Sequence, residues 1–444
     1  MRLMPILIFA STLFTSTQAF DLNLNIDVNQ KYPPDVSFAI IDLKYDHGNL
    51  KICEFGEAFY CDLSPYFEIH TKERLCTYFG DFFQSLKIPL FLVTSDKPRE
   101  QFSRPTTYAK YVLSGFFWDF IVSNNFYNKP HRAPAHLTQS QNVFYDTLDD
   151  FIDRSESIST FKQNQPTNIM DLSGILIAKD LRFLAAHYHM LREKYPNLIL
   201  LDYATSRLVQ NKLFTHLLFA HDSSIEKYRP RCCILSKKYT PHLAQKIITA
   251  IPSACYVIKP IDSCCGKGVI FVERQHLAYA LYLILNPIKI TSSKKDYLFW
   301  KKYRKNFLLV ESFEPSQPIM VNDKQYDATM RVVFGMAYDG NNITIKFFDA
   351  YWKIPEKALE DAGSLAEKHK SHVRLDMKCA VKVDQETYKE VTDILREILP
   401  KTYFKMITLS NTPHLLDNLS REIHGPSMDI YAYKEEAQSL RACA

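Results

Sequence analysis

Apolar and polar positions along this chain change period in a way that marks out its elements. Val36 to Lys44 (VSFAIIDLK) and Leu50 to Phe55 (LKICEF) read as strands, and Tyr45-Asp-His-Gly-Asn49 between them has the composition of a hairpin turn. Lys72 to Leu86 has helical spacing, with Leu75, Tyr78, Phe82 and Phe83 apolar, and Pro89 to Thr94 reads as a short buried strand. A helix is expected over Tyr108 to Phe120, with Leu113, Phe116, Phe117 and Phe120 as a stripe that belongs in a core. Residues 127–168 are polar, with prolines at 130, 134 and 166, and a long connection is expected there. Gly174 to Ala178, Lys179 to Tyr195 and Leu198 to Leu201 then follow a strand–helix–strand rhythm, which suits a parallel sheet with a crossover helix.

A new unit opens after Asp202. Helices are expected from Asn211-Lys212 onward, over Pro241 to Ile251 and over Gln275 to Leu285. Arg229 to Leu235 reads as a strand. Tyr256 to Ile258 and Val269 to Val272 read as strands on either side of a turn of small residues. Ser292 to Lys305 is basic and leads into a buried strand, Asn306 to Phe313. Strands are expected over Gln325 to Gly335 and over Ile343 to Ile354, and a helix over Ala362 to His369. Lys368 to Arg374 is a basic run, with a solvated surface as its plainest reading. Glu386 to Leu399 is an amphipathic helix with Val391, Ile394, Leu395 and Ile398 inward.

Composition adds three constraints. A length of 444 residues suits two or three domains, and a hydrophobic content of 46% suits packed globular units. The net charge of +5 is mild and spread along the chain, so no nucleic-acid partner is expected. Met1-Arg2, the apolar run Ile6 to Phe14 and Thr17-Gln18-Ala19 read as a secretory signal peptide cleaved near Ala19. That predicts an exported protein with no stable membrane span after cleavage. Of 10 cysteines, Cys53 and Cys61 could pair across a hairpin. The adjacent pairs Cys232-Cys233 and Cys264-Cys265 are not expected to bridge internally, because that geometry is strained.

The candidate chemistry centres on residues 255–274. Gly266 and Gly268, two of only 11 glycines, sit in the turn between Lys259-Pro260 and Val269. Without a Cβ, their backbone N–H groups can close on an anion, and Lys259 and Lys267 place positive charge at either end of the loop. Lys259-Pro260, Ser263 and Gly266-Lys267-Gly268 resemble the ATP-grasp superfamily, in which a strand ending in Lys-Pro precedes a small-residue loop with Gly-x-Gly. Glu311, at the end of the strand Asn306 to Phe313, resembles the acidic residue of that family's hinge strand. Asp327 and Arg331 resemble its later strand with an Asp and an Arg four residues on. In a strand such a spacing puts both side chains on one face. Asn211-Lys212 resembles the family's entry helix. The resemblance covers about residues 200–375, and at Lys368 to Arg374, where the family has a polar, glycine-rich loop that meets the phosphates or the acceptor, only the charge matches.

The resemblance implies an α/β fold, with an N-terminal α/β pre-grasp domain followed by a two-lobed ATP-grasp module. The expected divisions are a signal peptide over 1–19, an N-terminal domain over 20–205, a small lobe over 206–310 and a divergent large lobe over 311–444. It also implies an ATP-dependent ligase of the carboxylate–amine or carboxylate–thiol type. The preferred reading joins a small-molecule or peptide carboxylate to an amine through an acyl phosphate. Lys259 would meet the α- and β-phosphates and Ser263 to Gly268 the β- and γ-phosphates. Glu311 would mark the adenine or ribose, and Arg331 would stabilise the transferring phosphoryl group. Lys212 would support the nucleotide lobe, and Asp327 and Asp349 would serve ribose or Mg²⁺. The chain departs from the family pattern late: after the last helix, Thr408 to Asn418 contains no Glu-x-Asn. Asp349 with Asp417 or Asn418 is the remaining candidate metal set. Two further readings follow, a catalytically degenerate ATP-binding effector and an exported binding protein that does not use ATP.

Overall fold

The computed structural model describes residues 30–57, 64–86, 90–94, 143–147, 174–178, 198–206, 208–209, 211–220, 222–263, 266–286, 295–371 and 379–412. It is a mixture of helices with two larger antiparallel sheets and one parallel sheet. The signal peptide, the helices expected over 108–120 and 179–195, Cys61, Cys264-Cys265, and Asp417-Asn418 lie outside these residues. Among the described residues, no helix is long and apolar enough to cross a membrane.

The first hairpin pairs β1 (Asp35–Asp46) with β2 (Asn49–Glu57). Its two turn residues, His47 and Gly48, have φ of 43° and 87°, the positive values that match the turn to the twist of the strands. The parallel sheet has strand order β4-β3-β5-β6, with β3 (Leu90–Thr94), β4 (Val143–Thr147), β5 (Gly174–Ala178) and β6 (Leu198–Leu200). The strand–helix–strand rhythm before residue 201 therefore does yield parallel pairing, β5 with β6. β4 lies within the stretch expected to be a loop. Its five residues, VFYDT, are too short a run to stand out from polar surroundings.

The second sheet has strand order β7-β10-β8-β9 and is antiparallel, with β7 (Cys232–Ser236), β8 (Cys255–Pro260), β9 (Ile270–Glu273) and β10 (Phe307–Ser312). Period two sorts its side chains. Leu235, Tyr256, Ile258, Val272 and Leu308 join the main core, while Lys259 and Glu311 fall on the opposite face. The helix Lys295–Lys302 forms within the expected basic stretch because Trp300 is buried, its indole N–H donating to the Gly268 carbonyl at 2.9 Å. β11 (Ile319–Val321) and β12 (Lys324–Tyr326) make a small hairpin.

The third sheet has order β15-β14-β13-β1-β2 and is antiparallel, with β13 (Thr329–Tyr338), β14 (Ile343–Lys353) and β15 (Ala380–Lys382). The amino-terminal hairpin thus pairs with strands some 290 residues later, with Asp42 opposite Arg331 and Asp35 opposite Tyr338. One face presents Ala39, Ile41, Leu43, Val332 and Phe334 to the main core, together with Leu395, Ile398, Tyr403 and Met406 of the helix Gln385–Ser410. That helix continues eleven residues past the expected end, through Pro400. Proline costs an interior helix hydrogen bond, but apolar residues on both sides of it, Ile398 and Leu399 before and Met406 and Ile407 after, are fully buried and hold the segment together.

The other face of this sheet is divided. Its upper part carries Phe38 and Phe348, which meet Phe82 of the helix Lys72–Leu86 with ring centroids 5.5 and 5.9 Å away. Its lower part carries Asp42, Lys44, Arg331 and Lys353, all buried. An apolar strand with two charged residues on one face must answer those charges from elsewhere in the fold, and it is there that the second sheet approaches.

Candidate functional site

The approach of the two sheets can be followed through Arg229. Its Nη1 donates to the carbonyls of Ile52 and Cys53 on β2, at 2.7 and 3.0 Å, and its Nη2 donates to Glu311 Oε1 on β10 at 3.1 Å. The other oxygen of Glu311 is 2.5 Å from Lys259 Nζ. Lys259 and Glu311 meet because β8 and β10 are antiparallel with Leu309 opposite Lys259 and Val257 opposite Glu311, a diagonal pair on one face.

A second group lies on the third sheet. Arg331 grips Asp42 with two parallel hydrogen bonds, Nε to Oδ1 at 2.7 Å and Nη2 to Oδ2 at 2.9 Å, and Lys353 Nζ donates to the same Oδ2 at 2.5 Å. Lys44 Nζ lies 3.0 Å from Asp327 Oδ1 and also donates to the Asp327 and Ala328 carbonyls. Asp327 Oδ2 is 2.7 Å from His369 Nδ1. The His369 ring meets Phe313, just past β10, edge to face at 4.6 Å.

Lys212 completes the band. Asn211 caps the helix Lys212–Phe219 by accepting from the Leu213 N–H at 2.9 Å, which places Lys212 at the first turn. Its N–H donates to the Ile261 carbonyl at 2.7 Å. Its Nζ donates to the Ser263 carbonyl and pairs with Glu54 at 3.1 Å. Ser263 is 7% exposed, and its hydroxyl has no hydrogen-bond partner among the described residues.

The charges set one another's protonation. Burial pushes the carboxyls of Glu311, Asp42 and Asp327 upward, but their partners outweigh it and hold all three below the ordinary carboxylate range. For Glu311 the partners are Lys259 and Arg229, for Asp42 Arg331 and Lys353, and for Asp327 Lys44 with His369. Lys259 is drawn down by burial yet raised overall by Glu311, whereas burial and the Arg331 charge leave Lys353 below its usual value. Burial also raises the Cys53 thiol, which lies among these charges. The band holds six cations, Lys44, Lys212, Arg229, Lys259, Arg331 and Lys353, against four carboxylates, Asp42, Glu54, Glu311 and Asp327. It therefore carries surplus positive charge.

The structure brings Lys212, Lys259, Ser263, Glu311, Asp327 and Arg331 into this band. Gly266 and Gly268 adopt φ of +66° and +74°, values that favour glycine, and Lys267 lies half-buried between them. Asp327 and Arg331 do not act as a pair. β13 begins at Thr329, so Asp327 precedes the strand, and each residue has its own partner. Asp349 goes elsewhere. A bulge at Val333/Phe334 leaves it at φ 117°, under the helices, with Arg74 Nε at 2.8 Å and His70 Nδ1 at 3.6 Å. Asp349 and Asp327 are each answered by a protein cation. Among the described residues, no three His, Cys, Asp or Glu side chains gather at one place, and Asp417 and Asn418, the expected companions of Asp349, lie outside those residues. Cys53, Cys232, Cys233, Cys255 and Cys379 are free thiols, so Cys53 is not bridged to Cys61 and Cys232 is not bridged to Cys233.

The sequence reading missed Asp42, Lys44, Arg229, Lys353 and His369 as members of the band. For Asp42 and Lys44 a signal existed: two charges on one face of an otherwise apolar strand. For Arg229 there was none, because its partners, the Ile52 and Cys53 carbonyls and the Glu311 carboxylate, lie far away in the chain.

No family model matches the sequence, and no curated protein matches it. Solved structures similar to it include a candidate gamma-glutamylcysteine synthetase from Methylobacillus flagellatus KT, at 8% identity and a TM-score of 0.40, covering 86% of this chain and 90% of the other. They also include the D-cycloserine synthetase DcsG, at 12% identity and a TM-score of 0.32, covering 72% and 82%. A third is D-alanyl-alanine synthetase A from Vibrio cholerae O1 biovar eltor, at 11% identity and a TM-score of 0.31, covering 72% and 81%.

Proposed function

We propose that the band between the second and third sheets is the cleft of a two-lobed, ATP-grasp-like module, and that the protein is an ATP-dependent ligase joining a carboxylate to an amine. The observation that carries this reading is the convergence of three separate segments on one buried, cation-rich seam: Lys259 with the Gly266–Gly268 turn, Glu311 on the neighbouring strand, and Arg331. A polyphosphate is the class of ligand whose charge would suit that seam. It would satisfy the surplus positive charge, the buried Ser263 hydroxyl and the turn amides together.

In this chemistry ATP phosphorylates a carboxylate, and an amine then displaces the phosphate. The chain's contribution is to position the partners and offset charge. Lys259 would turn from Glu311 toward the phosphates. Glu311 would keep Arg229, and with it the junction of the two sheets. Arg331, fixed in orientation by Asp42, would face the transferred group. A second reading, nucleotide binding without transfer, is favoured by one observation: Arg331 already holds Asp42 with two parallel hydrogen bonds.

Thermal unfolding of the full chain with and without ATP, beside Lys259→Ala, tests the proposal. A ligand bound only by the folded state adds ~2.7 kcal/mol at a hundredfold excess over its dissociation constant. A midpoint that rises with ATP in the native chain and not in Lys259→Ala is expected. No rise at millimolar ATP would sink it. Phosphate release on supplying candidate carboxylates and amines separates the ligase from the binding-only reading.

A further inference from the structure

The glycine turn already holds a carboxylate. Asp296, in the first turn of the helix Lys295–Lys302, accepts from the Gly268 N–H at 3.3 Å. Its two oxygens also accept from Lys370 Nζ, at 2.9 and 3.0 Å. Lys370 arrives from the far side. It ends the helix Leu365–His369, where its N–H donates to the Ala366 carbonyl, and its side chain crosses directly over Gly266. A Cβ on Gly266 would lie 2.6 Å from Lys370 Cε. The base of this arm is anchored, because the preceding residue, His369, is bound to the buried Asp327. The tip is accessible to water, with 16% of the Lys370 and 27% of the Asp296 side chain exposed.

We propose that Lys370 and Asp296 form an exchangeable latch over the glycine turn. Asp296 occupies the place of a phosphate, and on polyphosphate binding Lys370 and the Gly268 N–H pass from Asp296 to the ligand. The inference rests on the polyphosphate cleft proposed above and adds a phosphate-contacting lysine and an internal competitor to it. The physical basis is a contest for the same donors. A carboxylate offers one charge to an amide and an ammonium that a polyphosphate meets with several. A half-buried ion pair with both side chains reaching water gives way to a more highly charged ligand more readily than a fully buried one. The anchored base keeps the lysine within reach of the turn throughout.

The test is calorimetric titration of the full chain with inorganic tripolyphosphate and, separately, with ATP and Mg²⁺. It compares the native protein, Asp296→Asn, Lys370→Met and the double variant. Removing the competitor should tighten tripolyphosphate binding about fivefold, and removing the lysine should weaken it about tenfold, the scale of one partly exposed charged contact. The gain from Asp296→Asn should largely vanish in the Lys370→Met background, because the competitor acts through that lysine. Asp296→Asn binding no tighter than the native chain, a gain that persists in full in the double variant, or no tripolyphosphate binding by any form would each overturn the latch. If tripolyphosphate behaves as expected while ATP binds to none of the proteins, the nucleotide reading falls and the latch stands. If ATP binds the native chain and Asp296→Asn equally, the latch falls and the nucleotide reading stands. Asp296→Ser carries the same expectation should the asparagine variant unfold early.

Discussion

Lys259 and Glu311 are 52 residues apart in the chain and 2.5 Å apart in the fold, and the cost of burying Lys259 is offset by Glu311, that of Glu311 by Lys259 and Arg229. Removing the carboxylate leaves two buried cations without an answer. Glu311→Gln should therefore destabilise the protein by about 3–5 kcal/mol in chemical denaturation at neutral pH. The same group links stability to pH. Its carboxyl is held below the ordinary range in the folded state, as are those of Asp42 and Asp327. A lowered folded value means that the stabilisation is complete above the unfolded carboxylate range, near pH 4, and is lost as pH falls through the lower folded values. Stability should drop steeply on acidification below about pH 4, and the drop should be shallower in Glu311→Gln, which has one such group fewer. An acid limb of equal steepness in the two proteins would contradict this assignment.

At the scale of an element, the turn between β8 and β9 shows how much a glycine carries. Gly268 has φ of +74°, and a Cβ there would lie 2.4 Å from the Phe299 ring and 2.8 Å from Pro260. Both neighbours are fixed, Pro260 by ending β8 and Phe299 by its place beside Trp300 in the helix Lys295–Lys302. Gly268→Ala combines left-handed strain with a clash, so a loss of about 1–3 kcal/mol is expected, read as a lower denaturation midpoint. Gly48, in the β1–β2 turn, has nothing within 4 Å of the place a Cβ would take, so its substitution carries backbone strain alone and is the natural comparison. These strands, their hairpins and most helices were legible in the sequence, because period and turn chemistry are local. Two of the exceptions have local causes too. Pro400 masked the second half of the last helix, and β4 is only five residues long.

At the scale of the whole molecule, the third sheet sets what can fold by itself. β1 lies between β13 and β2, so the strand beside Arg331 comes from residues 35–46. A division at residue 205, natural from the sequence, leaves β13 without its neighbour and strips Arg331 and Lys353 of Asp42. The fragment 206–444 should accordingly show no cooperative unfolding transition by circular dichroism, because it exposes a long apolar strand edge and two buried cations. A cooperative transition in that fragment would show that the carboxy-terminal unit closes without β1. Arg229 belongs to this scale as well, since its guanidinium joins the β2 backbone to Glu311 and so holds the second sheet to the third.

The sequence by itself determined the strand and helix rhythm, the glycine turn beside Lys259, and the candidacy of Glu311, Asp327 and Arg331. The rhythm and the turn rest on spacing within a few residues, where backbone geometry decides which side chains share a face, and the three candidacies rest on the resemblance of their segments to the ATP-grasp superfamily. Only the tertiary structure decided how the charges pair. Arg331 goes to Asp42 rather than to Asp327, Asp327 goes to Lys44 and His369, and Asp349 goes to Arg74 beneath the helices. Spacing cannot report these outcomes, because a buried charge takes whatever partner the packing of distant strands brings within reach, and its desolvation leaves it no choice but to take one.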